Sequence, residues 1–486
     1  METRTDGKII TILAVLIILF FSLLYSSISL WDPDFWWHIN TGKYILEHNG
    51  LPDEDPFTFT PMGKDMKLNV STLKGYWLAQ VILYEIWKMG GIAGTIMVRV
   101  MILAFTLFLF WRLTRGGNPY LRLAGLLLAG NTLFYFTGER PQTFIIPLAV
   151  LLFIIMQAYL EKKSSVIFIL PLVTLLWTNF HKSSFFAGAI IVIYLVSSLV
   201  PLRQAQGDNT TLFRREKFVF TLLCILSVVM IFVSPVGLYK TADVDVFQKA
   251  IRTGGTLEFL SPFKLFFDYG KWYPSYWICL LVALVILVLN IKKIPLPAIL
   301  SIIATSLLSL TGARYMVFFT LAASLLFRLQ QIRLNGYLQK AAVIIALVPV
   351  VMNMGYFRPF NFSIRDTYPF ESVNILKKTN PERVFATLDW GGFVGYFLPG
   401  SKVFMDGKML NEDVVAQYNI ILEGTEAMGQ KEWKNNLNRY RVDAVILPLR
   451  DFNTGKPIEL IDRLSRDPDW ENAYRDDKQA LFVRHM

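Results

Sequence analysis

The segment W-D-P-D-F-W-W-H, Trp31 to His38, places two carboxylates on either side of a proline. Pro33 favours a turn between Asp32 and Asp34. Paired acids of this kind have two chemical uses. They can hold a divalent cation, Mg or Mn, through hard oxygen ligands, or one of them can act as a general base. Asp34 would also suit the N-cap or first turn of a helix that begins there.

Other polar groups gather at the ends of apolar runs. They are Glu139 and Arg140; Asn179, His181 and Lys182; Glu258; and Arg314. Ionisable side chains beside a bilayer are costly and commonly mark a site or an ion path. Arg140, Lys182 and Arg314 could receive a phosphate, and the arginine fork matches phosphate oxygens. His181 could serve as a second base or a phosphate partner, and His38 is expected to pack as an interfacial residue. Arg99, inside an apolar run, is expected to meet a carboxylate or a backbone carbonyl and stands outside the site. The sequence has no Gly-rich nucleotide loop and no Cys/His metal spacing.

The elements that must carry these groups are membrane spans. Of 486 residues 54% are hydrophobic and only 17% charged, too little charge to cover a soluble surface of that size. Hydropathy outlines about eleven spans: Ile9–Leu30, Ile92–Leu113, Tyr120–Thr137, Thr143–Leu160, Val166–Phe180, Phe185–Val200, Phe218–Leu238, Tyr276–Ile291, Leu296–Leu310, Tyr315–Leu329 and Ala341–Met354. The first reads as a retained span, not a cleaved signal peptide. Lys and Arg concentrate in alternate short loops, which assigns those loops to the cytoplasm. The N-terminus is then inside, and everything after Gly355 outside, in a multi-pass protein of the cytoplasmic (inner) membrane. The same loops account for the net charge of +11 without nucleic acid as a partner. Cys224 and Cys279 lie early in successive runs, at different depths, and do not suggest a disulfide.

Two outer loops are long. Residues 31–91 hold an amphipathic stretch, Asp34–His48, and an apolar one, Leu73–Trp87. Both read as interfacial helices, with Trp31, Trp36, Trp37, Trp77 and Trp87 at headgroup level. Residues 239–275 form the second loop. Residues 1–357 are assigned to the membrane domain and 358–486 to a soluble α/β domain. In that tail, β-type runs (Arg383–Leu388, Lys402–Met405, Ala444–Leu447, Ala480–Arg484) alternate with helical patterns (Glu412–Glu423, Lys431–Tyr440, Pro457–Arg466). The stretches Asp389–Gly395 and Asp406–Lys408 read as loops after strands, turned toward the site and shaping its acceptor side. Q-A-Q-G-D-N-T-T is a short flexible linker.

The stretch from W-D-P-D-F-W-W-H through L-P-D-E-D-P-F-T-F-T resembles the first outer loop of bacterial membrane proteins classed with the GT-C glycosyltransferases. E-R-P-Q, L-W-T-N-F-H, S-P-V-G-L and A-R-Y fit the same family, as do L-D-W-G-G-F and F-M-D-G-K in the tail. The class includes oligosaccharyltransferases, protein O-mannosyltransferases and aminoarabinose transferases. The resemblance implies a polytopic α-helical GT-C-like membrane domain with an extracytoplasmic α/β domain, a lipid-linked sugar donor and an acidic first-loop catalytic residue. Asp34 corresponds best to that acid, Asp32 second. Asp389, Trp390 and the two glycines after them are similar to the W-W-D-Y-G acceptor motif of oligosaccharyltransferases but lack its double Trp and Tyr, so a peptide acceptor does not carry over.

The implied reaction is an inverting transfer from a polyprenyl-phosphate sugar to an acceptor, whether glycan, lipid or protein. Its leaving phosphate departs without an acid, so one carboxylate suffices as base, unlike the two-acid pair of glycosidases. Glu139, Asn179, Glu258, His38, Asp389, Trp390 and Asp406 are then accessory or acceptor-side candidates. Two other classes compete. A transporter or lipid flippase should show repeat symmetry and mid-membrane acids, and neither is visible here. A catalytically silent scaffold should tolerate loss of Asp34.

Overall fold

The computed structural model describes residues 2–60, 64–136, 138–161, 164–199, 214–237, 257–329, 334–408, 411–427, 430–452 and 454–485. The Q-A-Q-G-D-N-T-T linker and the second long loop up to residue 256 lie outside the described residues. The chain divides into two packed units. One comprises Met1–Ser29, Ala93–Gly237 and Thr256–Phe362; the other contains Leu30–Ile92 and Ser363–Met486.

The first unit is helical. A helix occupies each segment that hydropathy outlines. Among the described residues, five helices are long and apolar enough to cross a membrane: Gly7–Ser26, Trp77–Leu113, Pro141–Leu160, Pro274–Lys293 and Gly336–Tyr356. Helix Trp77–Leu113, with 37 residues, would be about 55 Å long if straight, far more than one crossing needs. It is broken at Gly91, whose φ of +52° is outside the helical region, and the apolar run expected to span begins at the next residue. Within the unit, small and polar residues let helices approach. Tyr25 donates to the Gly130 carbonyl at 2.7 Å, and Asn353 Nδ2 to Asn131 Oδ1 at 2.9 Å. The first helix buries Phe21, Leu24 and Tyr25 and leaves Ile12, Leu16 and Leu19 exposed, as a lipid-facing helix does.

The second unit is built on a five-stranded sheet in the tail. Its strands are β1 (Arg383–Ala386), β2 (Lys402–Val403), β5 (Ala444–Pro448), β6 (Trp470–Arg475) and β7 (Gln479–Arg484), in the order β2-β1-β5-β7-β6. A separate hairpin joins β3 (Glu426–Ala427) to β4 (Gln430–Lys431). β1 runs parallel to β2 and β5; β7 runs antiparallel to β5 and β6. β5 is buried at every position, which its unbroken A-V-I-L-P run requires. Helices Glu412–Leu422, Glu432–Arg439 and Glu459–Ser465 supply Val414, Tyr418, Ile421, Trp433, Leu437, Leu460 and Leu464 to the core beside Phe385 and Phe404.

The long loop after the first helix packs as part of this unit. Residues 57–60 continue the sheet past β2: Val403 N donates to Phe57 O at 2.9 Å and Phe59 N to Val403 O at 3.2 Å. Leu30 exchanges backbone hydrogen bonds with Ser363 and Arg365, both 2.9 Å. The sequence boundary at 357/358 follows composition, whereas packing groups the first loop with the tail.

Two expectations change. Trp36 and Trp37 are buried in protein, not presented at headgroup level. Trp36 packs against Phe35, Trp87, Tyr368 and Phe393 at centroid distances of 5.0–5.6 Å, and Trp87 Nε1 donates to Tyr396 Oη at 2.8 Å. The stretch Asp389–Gly395 is not a loop. It lies in a helix, Leu388–Phe397, despite three glycines. Tertiary packing outweighs their poor helix propensity. A Cβ on Gly391 would collide with the Met405 carbonyl, and one on Gly392 would stand 3.0 Å from Trp37 N.

Candidate functional site

Asp34 opens helix Asp34–His48, and the turn before it is held by Asp32. Asp32 is buried, and its Oδ1 accepts the Asp34 backbone N–H at 3.0 Å. Asp34 is half-buried, and its Oδ1 accepts from Trp37 Nε1, one helical turn on, at 3.0 Å. His38 is buried between Trp37 and Tyr76, with ring centroids 3.6 and 5.3 Å away, and its Nδ1 is 3.3 Å from Gln80 Nε2.

Both tail motifs meet Asp34. Helix Leu388–Phe397 lies on helix Asp34–His48 through Gly392, and Asn40 Nδ2 donates to the Gly395 carbonyl at 3.3 Å. This places Asp389 near Asp34. Burial, then the charges of Asp34 and Asp451, push the Asp389 carboxyl up to about 6, with Arg365 opposing them. Trp390, next along, is buried, with its ring 5.8 Å from that of Phe452. Gly407 abuts the Asp34 carboxylate so closely that a Cβ there would strike Oδ1.

Asp406 is placed differently from its acceptor-side expectation. It is buried and bonded to Lys408, whose Nζ also lies 3.4 Å from Asp55 Oδ2. Asp55 also accepts from the Thr58 hydroxyl at 2.6 Å, the Phe57 N–H at 2.9 Å and Asn69 Nδ2 at 2.9 Å. Burial favours the neutral acid at Asp55, but Lys408 and these donors outweigh it and hold the carboxyl below the ordinary range. Burial disfavours the Lys408 ammonium, and the two carboxylates more than restore it. Sequence reasoning did not single out Asp55 or Lys408 as members of one constellation. They are far apart in the chain, and only the pairing of residues 57–60 with β2 brings them together.

In the first unit, Arg140, Glu258 and Arg314 converge. Arg140 Nη2 is 2.8 Å from Glu258 Oε2, and Arg314 Nη1 is 3.7 Å from Glu258 Oε1. Ala313 N donates to Leu260 O at 2.9 Å, fixing the A-R-Y turn to the segment carrying Glu258. Burial raises the Glu258 carboxyl, and the two arginines together outweigh it and hold the group below its ordinary value. Phe144 stacks on Phe180 at 5.2 Å, and Trp177 on Phe318 at 6.2 Å. These contacts bring the start of helix Pro141–Leu160, the end of helix Leu170–Phe180 and the start of helix Met316–Phe327 to one level. His181 and half-buried Lys182 sit in the turn at that level. His181 Nδ1 accepts the Ser183 N–H at 3.0 Å, and Asn179 Nδ2 donates to the Leu175 and Val233 carbonyls. Glu139 pairs with buried Arg99, which also donates to the Tyr25 carbonyl at 2.8 Å, so Arg99 meets both a carboxylate and a carbonyl.

For a cation, Asp32 and Asp34 each turn an oxygen to a protein N–H. The described residues hold no group of three or more His, Cys, Asp or Glu suited to a metal ion. The proposed reaction is written without a metal step.

The chain is similar to the solved oligosaccharyltransferase of Archaeoglobus fulgidus tethered with an acceptor peptide containing the NVT sequon. The two are 10% identical, the match covers 90% of this chain and 69% of that one, and the TM-score is 0.57. The values are the same for the Archaeoglobus fulgidus AglB complex with an inhibitory peptide and a dolichol-phosphate. A complex of the same archaeal enzyme with Zn and sulfate matches at 10% identity over 89% of this chain and 68% of that one, with a TM-score of 0.53. The sequence matches no established family model and no curated protein. The fold is therefore shared with the archaeal oligosaccharyltransferase.

Proposed function

We propose that the protein is a membrane glycosyltransferase that moves a sugar from a polyprenyl-phosphate donor to an acceptor on the extracytoplasmic face, with inversion. The observation that carries this reading is the oligosaccharyltransferase fold over nine-tenths of the chain, with a half-buried carboxylate, Asp34, at the start of the first-loop helix. One neighbour binds a dolichol-phosphate, a lipid phosphate of the kind the donor would release. In the proposed reaction Asp34 takes the proton of the acceptor hydroxyl. The acceptor oxygen bonds to the anomeric carbon as the bond to phosphate oxygen breaks, and polyprenyl phosphate leaves. Arg140 and Arg314, ordered by Glu258, are the proposed phosphate ligands, with Lys182 and His181 as further candidates. The proposal keeps the N-terminus in the cytoplasm and the C-terminal domain outside the inner membrane.

The test is Asp34→Asn in full-length protein in native membranes, offered a panel of polyprenyl-phosphate monosaccharides, with released polyprenyl phosphate as the readout. The amide is nearly isosteric and can still accept from Trp37. Transfer should fall by about 10²–10⁴-fold with protein level unchanged. Full activity in the variant removes Asp34 from the mechanism, and no transfer by the wild type favours a non-catalytic scaffold.

A further inference from the structure

We infer that the buried Asp55–Lys408–Asp406 cluster is a positioning device for Asp34, acting through Gly407. The inference rests on the proposed role of Asp34 for its catalytic consequence, though not for its geometry.

The argument begins with Lys408, whose side chain is fully buried together with that of Asp55. A buried ammonium is retained only where partners repay its lost hydration, and removing one partner is far costlier than never having built the pair. The two carboxylates come from different parts of the chain. Asp55 belongs to the first outer loop and is itself locked by Thr58 and Asn69. Asp406 lies two residues before Lys408 and accepts both its ammonium and, at 3.1 Å, its backbone N–H. Asp406 and Lys408 therefore close a tight turn whose tip is Gly407. Thr60 Oγ1 donates to the Phe404 carbonyl at 2.7 Å, tying the same two segments a second time.

The tip of that turn has no slack. Its outer side meets the Asp34 carboxylate, where even a methyl group would collide with Oδ1. Its flank meets the D-W-G-G helix, where Gly391 leaves room only for the Met405 carbonyl and Asp406 Cα. Trp37 Nε1 holds the same Asp34 oxygen from its own helix. The carboxylate is thus fixed between an indole N–H and a backbone wall, and the wall is anchored by the ion cluster. A surface salt bridge would let the wall move; a fully buried cluster does not.

The test uses full-length protein in native membranes and reads geometry separately from activity. Asp34→Cys gives a thiol at the site, labelled with a small maleimide against the background of the parent, whose two cysteines are buried. Asp406→Asn and Lys408→Met are each added to it. Asp406→Asn is the milder change, since Asp55 and Lys408 still balance each other, and it remains informative if Lys408→Met fails to fold. The thiol should react several-fold faster in both, and Lys408→Arg should restore much of the slow rate. An unchanged labelling rate in folded Asp406→Asn overturns the inference. With Asp34 intact, Gly407→Ala should lower kcat by about 10²-fold, the scale of an ångström-sized misplacement, with donor KM little changed. A change confined to KM also overturns it. If labelling responds as expected but Asp34→Asn keeps full transfer, the positioning device stands and the glycosyltransferase role of Asp34 falls.

Discussion

Asp389→Asn isolates the electrostatic coupling around Asp34. In the folded protein the Asp389 carboxyl titrates at about 6 in place of its ordinary 3.8, because it is half-buried, partly stripped of water, and faces the charges of Asp34 and Asp451. The difference of about 2 pH units corresponds to about 3 kcal/mol at about 1.4 kcal/mol per unit. The sign follows from proton binding. The folded pKa is raised, so between about pH 4 and pH 6 the folded state holds a proton that the unfolded state has lost. The contribution of this group is fully present below pH 4 and is lost as pH rises through 6. The wild-type second unit should therefore lose up to about 3 kcal/mol over that window, and the Asn variant should not. Unfolding midpoints of the full chain in nanodiscs, taken as a pH series for both proteins, measure the difference. Infrared titration of the protonated carboxyl stretch, as wild type minus variant, gives the midpoint directly. Asp34→Asn should lower that midpoint only part of the way toward 3.8, because burial contributes more than the Asp34 charge. Identical pH dependence in wild type and Asp389→Asn, or a midpoint in the ordinary carboxylate range, would refute the reasoning.

Arg140→Gln removes one of the two cations that share Glu258. A charge-assisted hydrogen bond is worth about 1.5–3 kcal/mol, so kcat/KM for a polyprenyl-phosphate monosaccharide should fall by about 10–10²-fold; an unchanged value excludes Arg140 from donor binding. Glu139→Gln leaves the Arg99 guanidinium buried without its carboxylate. Breaking such a pair costs about 3–5 kcal/mol, which a fall in detergent-solubilised thermal stability would register, while a variant as stable as wild type would mean the pair contributes nothing.

Much of the fold was legible because membrane spans and amphipathic helices announce themselves by period. Asp34–His48 was outlined with the bounds the structure gives it. Strands β1, β2, β5 and β7 stood out as apolar β-type runs. β6 did not, since W-E-N-A-Y-R is an edge strand with most side chains exposed and lacks an apolar face. Helix Leu388–Phe397 was hidden by its glycines, which serve contacts with residues far away in sequence. The aromatic residues of the first loop misled for a related reason. Tryptophan is apolar with one polar edge, and sequence cannot say whether a headgroup layer or the tail's Tyr368 and Phe393 will face it. Arg140, Glu258 and Arg314 were each visible as costly charges; their convergence was not, because it depends on how three separate turns pack.

The acids of the second unit divide into two kinds, and the division bears on which of them do chemistry. Asp55 and Asp406 share Lys408, which with its neighbours holds Asp55 below its ordinary range, while burial keeps Asp406 above it. Asp34 and Asp451 act on Asp389 as like charges, and their repulsion helps raise its carboxyl. A fold gains nothing in stability from crowding like charges, and the pattern recurs where a proton must be taken or given near neutral pH. The family resemblance put Asp34 first and Asp32 second. The structure separates them: Asp32 is buried and holds the turn, while Asp34 remains half-buried among carboxylates. Of the two, only Asp34 keeps appreciable exposure, which the general-base role in the proposed reaction requires.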